Sequence, residues 1–394
     1  MVIGWYYVII NKIRNIVEKV EGIYKYKFVI KISLNLMENL ILFNNMNEYT
    51  GDGSYARTLF LTKLWWKFYS FKTDPTAPDS LFPGNVVPLI KFDGNRKLKS
   101  EFTIKLSRNL NFILANRKMK KIIRTLNKND ESIFVHYLNP SLNPISIDNS
   151  IVTIQDLFYI DERGRIKFWD VYAKNTIKNL ERYKKIDNII TPSNFTKKVA
   201  ESNGFDGKIT VIPHGVDPSF RPLKSKDFVR RSLGLPDSKK LILSVSTLAK
   251  RKNIGMVESV MKRLGDQYAL VRVGDAVGSS YTFKNINSDT LNLIYNACDA
   301  LLFPTLNEGF GIPIIEAFAT ETPVVTSNLD ITNEVSMGSA IICEDDINSY
   351  VNGIQFALNN KEEILPLMRK VNEFYSLNSF KDRMKKFYST LIKN

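Results

Sequence analysis

Asn307-Glu308-Gly309-Phe310-Gly311-Ile312-Pro313-Ile314-Ile315-Glu316 follows the apolar run Ala300–Phe303. The order is a short buried strand, a glycine turn and a helix with proline at about its first position. Proline there leaves its missing N–H harmless and presets φ. Gly309 and Gly311 let the backbone approach a ligand closely. The helix start adds free N–H donors and a positive dipole end, a ready place for phosphate oxygens. Glu308 stands at the loop mouth and Glu316 about one turn into the helix, so both carboxylates can face one bound molecule. One could hold a sugar's hydroxyls and the other a ribose diol. Alone, the same residues also make an ordinary turn and a carboxylate that complements a helix dipole.

Outward from this stretch the alternation continues. Leu241–Val245, Ala269–Val273, Pro323–Thr326 and Ala340–Ile342 read as further strands separated by helical stretches. An earlier series runs through Leu40–Phe43, Val86–Ile90, Ile133–His136, Ile151–Ile154, Asn188–Thr191 and Ile209–Ile212. Helices are predicted over Ser54–Ser70, Phe102–Leu126 and Asp170–Lys185. Such alternation builds parallel sheets covered on both faces. Pro213–Pro222, with three prolines and a glycine, divides the two series as a hinge. The predicted fold class is therefore α/β: two Rossmann-like doubly wound domains facing a cleft, with ligand at the carboxyl ends of the strands. The expected divisions are an extension over 1–36, domains over 37–217 and 218–375, and a last helix over 376–394.

Composition agrees. The 394 residues are 44% hydrophobic and 24% charged, which excludes wholesale disorder and fits two or three domains. Two cysteines (Cys298, Cys343) and two histidines (His136, His214) exclude a disulfide framework, a cysteine-based zinc site and a histidine-rich metal centre. A reducing, cytoplasmic setting is expected, with no metal ligand set. Val2–Ile10 is about half the roughly 20 apolar residues a spanning helix needs, and it lacks a signal peptide's basic start. Ile9, Ile13, Ile16, Val17 and Val20 recur at helical spacing, so residues 1–36 read either as an interfacial amphipathic helix or as a loosely attached extension.

The net charge is +15, and it is unevenly placed. Residues 1–223 hold 34 Lys/Arg against 21 Asp/Glu, residues 224–394 hold 21 against 19, and Leu301–Tyr350 contains neither lysine nor arginine. An acidic partner drawn by bulk charge should meet the first half. The helix over Phe102–Leu126 interleaves Lys105, Arg108, Arg117, Lys118, Lys120, Lys121 and Arg124 with apolar residues. Its basic face is either simply solvated or rests on anionic lipid.

Residues 307–316 resemble the E-x7-E element of retaining glycosyltransferases of family 4 (glycosyltransferase group 1), which have the GT-B fold. Ser246-Thr247-Leu248-Ala249-Lys250-Arg251-Lys252-Asn253 is similar to their phosphate-binding strand–loop. Ser288–Phe303 and Thr322–Asn328 resemble the segments before and after E-x7-E, and Val211–Asp217 the interdomain element. These matches cover most of residues 150–350 in the family's order; residues 1–36 have none.

The resemblance implies roles. Glu316 binds the ribose of a nucleotide and Glu308 the donor sugar. Gly309, Phe310, Gly311 and Thr247 complete the donor site, and Arg251 and Lys252 neutralise the departing diphosphate. Gly51 and Gly53, in Thr50–Ser54, stand where the family keeps a glycine-rich loop, although Gly-Asp-Gly is also a common turn. Asp156 is either a proton acceptor or a turn-capping residue. Two positions depart from the pattern: Gln155 replaces a frequent histidine and Thr247 a frequent arginine. Glutamine can hydrogen-bond a sugar but cannot act as a base.

The implied reaction is retaining, front-face and metal-independent. A hexose leaves a nucleotide-diphosphate donor, and the leaving phosphate helps to take the acceptor's proton. The Thr-Leu-x-x-Arg-Lys-Asn form resembles mannosyltransferases and favours GDP-mannose over UDP-glucose. No cofactor beyond the donor is expected. The acceptor is a glycan, a lipid-linked glycan or a soluble sugar, met by the N-terminal domain at the inner membrane surface. Residues 376–394 would cross back onto that domain. The competing class is a non-enzymatic binder of nucleic acid or anionic lipid; the charge permits it, but no RRM, KH, helix-turn-helix or finger pattern appears.

Overall fold

The structure, a computed structural model, describes residues 40–44, 51–65, 67–71, 86–87, 101–126, 133–140, 144, 149–158, 171–278 and 280–392. The extension over 1–36 and the last three residues of the strand read to Ile90 lie outside the described residues.

The first sheet contains β1 (Leu40–Asn44), β2 (Lys67–Phe71), β3 (Val86–Val87), β4 (Phe134–Tyr137), β5 (Ser150–Thr153), β6 (Asn188–Thr191) and β7 (Lys208–Val211). Its order is β3-β2-β1-β4-β5-β6-β7, parallel throughout. The second contains β8 (Lys240–Val245), β9 (Tyr268–Val273), β10 (Tyr281–Phe283), β11 (Ala300–Phe303), β12 (Val324–Ser327) and β13 (Ile341–Cys343). It runs β10-β9-β8-β11-β12-β13, again parallel. Strands β5, β11 and β12 are buried along their whole length, which is why they read as apolar runs without alternation.

The chain reverses direction across each sheet between the first strand and its other neighbour: β1 and β4 in one, β8 and β11 in the other. Loops leaving the carboxyl ends of those pairs diverge to opposite faces and open a crevice. The second crevice lies between the loop after Val245 and the loop after Phe303, the two segments singled out in the sequence.

Twelve helices cover the sheets among the described residues. In the first half they are α1 (Gly51–Thr62), α2 (Glu101–Leu126), α3 (Val171–Tyr183) and α4 (Asn194–Ser202). Then follow α5 (Lys226–Ser232), α6 (Ile254–Leu264), α7 (Ser288–Ala297), α8 (Ile312–Ala319), α9 (Asp330–Ser336), α10 (Ile347–Asn359), α11 (Lys361–Phe374) and α12 (Leu377–Ile392).

The helix predicted over Ser54–Ser70 is a correction. It ends at Thr62, where Lys63 turns left-handed at φ 54° and donates its N–H to Phe60 O at 3.2 Å. The remaining apolar residues form β2, paired with β1. Gly51 and Gly53 lie in the first turn of α1, so this glycine segment opens the helix.

The last helix and the hinge both tie the halves together. Phe380, Met384, Phe387 and Tyr388 of α12 share an apolar cluster with Leu40 and Leu42 of β1 and Tyr55 and Leu59 of α1. Gly215 makes that possible: a Cβ there would fall 2.7 Å from Phe380 Cβ and 3.0 Å from Thr58 Cγ2. The hinge segment itself is fastened to both halves at neighbouring residues, by Val216 N–H donating to Tyr375 O at 2.8 Å and by an ion pair between Asp217 and Arg57 of α1.

Candidate active site

The loop leaving β8 tightens into a short 3-10 turn, Lys250–Lys252. Asn253 then reverses the backbone at φ 51°, a left-handed conformation that asparagine tolerates, and α6 begins. The loop leaving β11 lies alongside, joined by Leu306 N–H donating to Arg251 O at 2.7 Å. Gly311, at φ 97°, turns that loop into α8 with Pro313 in its first turn.

Three donors converge on Glu308. Lys252 Nζ lies 2.5 Å from Oε1, Thr305 Oγ1 donates to the same oxygen at 2.8 Å, and Arg251 Nη1 donates to Oε2 at 3.0 Å. The carboxylate is only 6% exposed, so two cations and a hydroxyl replace the water it has lost. Burial pushes the Lys252 ammonium below its ordinary value; Glu308 opposes that shift and Arg251 adds to it. Arg251 stays one-third exposed, its guanidinium stacked 4.4 Å above the Phe158 ring.

Glu316, also 6% exposed, has a different environment. Tyr295 OH donates to its Oε2 at 2.9 Å. Burial raises its carboxyl to about 8, against the Tyr295 bond and with help from the Asp217 charge. An ionised form becomes favourable when hydroxyl donors reach it, which suits a vicinal diol.

The first domain forms the facing wall. The chain leaving β5 presents Gln155 and Asp156 directly to Gly309, where an added Cβ would sit 2.2 Å from Gln155 O and 2.9 Å from Asp156 Cβ. Asp156 Oδ1 accepts from Phe158 N–H at 3.4 Å, a turn-capping contact, and its charge acts on Lys252. Gln155 is 7% exposed, and its Nε2 meets no acceptor among the described residues.

Residues 225–373 match the family described as glycosyl transferases group 1, and residues 76–220 match glycosyltransferase family 4. The chain belongs to the group 1 glycosyltransferase family. The O-antigen chain mannosyltransferase RfbU of Salmonella typhimurium is 26% identical over 259 residues, covering 60% of this chain and 67% of that protein. Across the first curated relatives, the chain spans about half to two thirds of their length. Among solved structures, the sucrose-phosphate synthase of Thermosynechococcus elongatus superposes at TM-score 0.65 with 17% identity, over 90% of this chain and 99% of that one. Anabaena HepE, solved with UDP and glucose, superposes at 0.63 with 13% identity, over 89% and 100%. At these identities the likeness speaks for the fold: two Rossmann-like domains in the GT-B arrangement.

Glu308, Arg251 and Lys252 come together at one edge of the crevice, and Asp156 of the first domain faces them across Gly309. Thr247 is exposed at the rim, its Oγ1 3.4 Å from Ala249 N. Phe310 turns inward: its ring packs edge-on against His214 at 4.6 Å and Tyr375 at 5.7 Å. His136 is a satisfied core residue, bonded to Tyr388 OH at 2.8 Å and Thr153 Oγ1 at 2.7 Å, and burial lowers its pKa to about 3.

Several contributors had no assigned role in the sequence. Arg272 of β9 is fully buried and binds Ser244 Oγ at 2.8 Å, Ser246 Oγ at 3.0 Å and Ser246 O at 2.8 Å, bracing the strand end from which the basic loop departs. A lone arginine in an apolar strand was the signal for it. Tyr295, Thr305 and Phe158 look like ordinary core residues in sequence, and only their neighbours give them a place in the site.

Proposed function

We propose that this glycosyltransferase is a retaining hexosyltransferase that moves mannose or glucose from a GDP- or UDP-linked donor to a hydroxyl of a glycan or lipid-linked glycan. The observation that carries the reading is the pair Glu308 and Glu316, both buried, on the two sides of a glycine turn, with Arg251 and Lys252 closing on the first. Glu316, backed by Tyr295, accepts from the ribose diol. Glu308 orients the hexose through its hydroxyls. As the anomeric bond breaks, negative charge grows on the diphosphate, and Arg251 and Lys252 neutralise it; no divalent ion is required for that role.

The acceptor hydroxyl approaches the same face that the diphosphate leaves, and its proton passes to the leaving phosphate, with Asp156 as the nearby carboxylate. Gln155 Nε2 donates to a sugar hydroxyl. The mannosyltransferase name of the Salmonella relative supports mannose and a glycan acceptor, and the UDP and glucose in the Anabaena structure support a nucleotide-sugar donor.

The basic helix fits a lipid-linked acceptor. Ala115, Met119 and Ile123 of α2 are buried, while Arg117, Lys120, Lys121 and Arg124 face outward around a groove of about 420 Å³. That face meets anionic lipid at the cytoplasmic membrane surface. No helix among the described residues is long and apolar enough to cross a membrane.

The test is to offer GDP-mannose and UDP-glucose with oligosaccharide and lipid-linked acceptors, in EDTA, and to follow the product's anomeric proton by NMR. An α-linked hexose from one donor is expected. A β-linked product would contradict retention, and no transfer from either donor would contradict the hexosyl reading.

A further inference from the structure

The first domain grips the catalytic loop at a point next to Glu308. Helix α4 begins at Ser193, whose Oγ accepts from Thr196 N–H at 3.0 Å in an ordinary N-cap. Both hydroxyls also reach across the crevice. Thr196 Oγ1 donates to Gly309 O at 2.9 Å, and Ser193 Oγ lies 3.0 Å from the same oxygen. The two side chains are almost wholly buried. On its other side Gly309 rests against Gln155 O, a contact that any Cβ would prevent. The loop is therefore held between the end of β5 and the start of α4.

A second tie reinforces the first. Glu334 of α9, from the second domain, accepts from Asn194 N–H at 2.7 Å, Asn194 Nδ2 at 3.0 Å and Phe195 N–H at 3.0 Å. The open N–H groups of one helix start in the first domain are thus satisfied by the second domain. The contacts that Glu308 itself makes through Arg251, Lys252 and Thr305 all belong to its own domain.

We infer that Ser193 and Thr196 are positioning residues for Glu308: by holding Gly309 O, they set the sugar-binding carboxylate in its working place when the two domains are together. The peptide unit from Gly309 to Phe310 is planar, so fixing its carbonyl also fixes the direction of the Phe310 N–H. Domain separation breaks both hydroxyl contacts and frees the loop one residue from Glu308. Nucleotide binding, through Glu316 on α8, does not depend on that grip. The inference rests on the proposed role of Glu308 at the donor sugar.

The test is Thr196→Val, which removes the donated bond and leaves the Ser193 cap, beside Thr196→Ser, which keeps the hydroxyl. The probes are GDP, UDP, GDP-mannose and UDP-glucose. For the nucleotide that the unmodified chain binds, Thr196→Val should leave the nucleoside diphosphate Kd within about twofold. It should weaken the hexose-linked form about tenfold and slow its hydrolysis by a similar factor. Thr196→Ser should restore both. Equal losses for the two ligands, or no loss for either, would overturn the inference alone. Unmodified protein that binds none of the four ligands would overturn the underlying reading and the inference with it.

Discussion

Glu308 and Glu316 are eight residues apart, equally buried, and held in different electrical surroundings. The loop mouth puts Glu308 between an ammonium and a guanidinium. The first turns of α8 put Glu316 against a phenol, with a second carboxylate, Asp217, close enough to raise its pKa. Burial favours the neutral form of Glu316. The partners decide, so one side chain is tied into a charged cluster while the other waits for a ligand to supply its donors. A motif written as two glutamates conceals two chemistries.

The largest expected effect comes from removing the waiting carboxylate. Glu316→Ala should weaken GDP or UDP binding on the order of 100-fold, because two charge-assisted bonds to a diol are lost together. Calorimetric titration reads this directly, and unchanged affinity would remove the ribose role.

A pH series sharpens the same contrast. With Glu316 at about 8, nucleotide binding through its ionised form should be roughly tenfold weaker at pH 7 than at pH 9. The sign for stability is opposite. The folded chain keeps the proton on this group from the ordinary 4.5 up to about 8, while the unfolded chain gives it up. This contribution to stability therefore falls as pH rises through that window. Thermal unfolding of Glu316→Gln, compared with the unmodified chain at pH 5 and pH 8.5, should show a smaller pH dependence. An identical slope would contradict the assignment.

Glu308→Gln should act in two directions. Donor turnover should drop on the order of 10- to 100-fold, since the sugar loses its positioning carboxylate. Binding of the bare nucleoside diphosphate should tighten by about three- to tenfold, because Arg251 and Lys252 no longer have an internal anion to satisfy. A parallel loss of both would show that the carboxylate merely holds the loop together.

The smallest expected change is that of Asp217→Asn, which removes the charge acting on Glu316. The midpoint of the nucleotide-binding pH profile should move to lower pH. A midpoint that stays put would mean that burial alone sets the Glu316 titration.

Much of this was legible in the chain. Strands β6 and β11 run over the very residues read for them, because buried parallel strands are short, near-continuous apolar runs. The E-x7-E stretch was legible because its glycines, proline and carboxylates act locally on a strand–turn–helix. The failures share a physical cause. Nothing near Lys63 marks a helix end by composition; a left-handed lysine does so only because the apolar residues beyond it can add a strand to β1. β10 is a three-residue edge strand with too short a pattern to show. The hold of Ser193 and Thr196 on Gly309, the Arg57–Asp217 pair and the brace of Arg272 under Ser246 join residues at least 26 positions apart. Such contacts follow from topology, and local periodicity carries no record of them.

Titration calorimetry of the purified chain with GDP, UDP and ADP in EDTA, repeated with Glu316→Ala, tests the central claim most directly. The account predicts that the unmodified chain binds one nucleotide selectively and at one site, and that the substitution abolishes most of that affinity. Binding of none of the three, or equal binding by the Glu316→Ala protein, would contradict it.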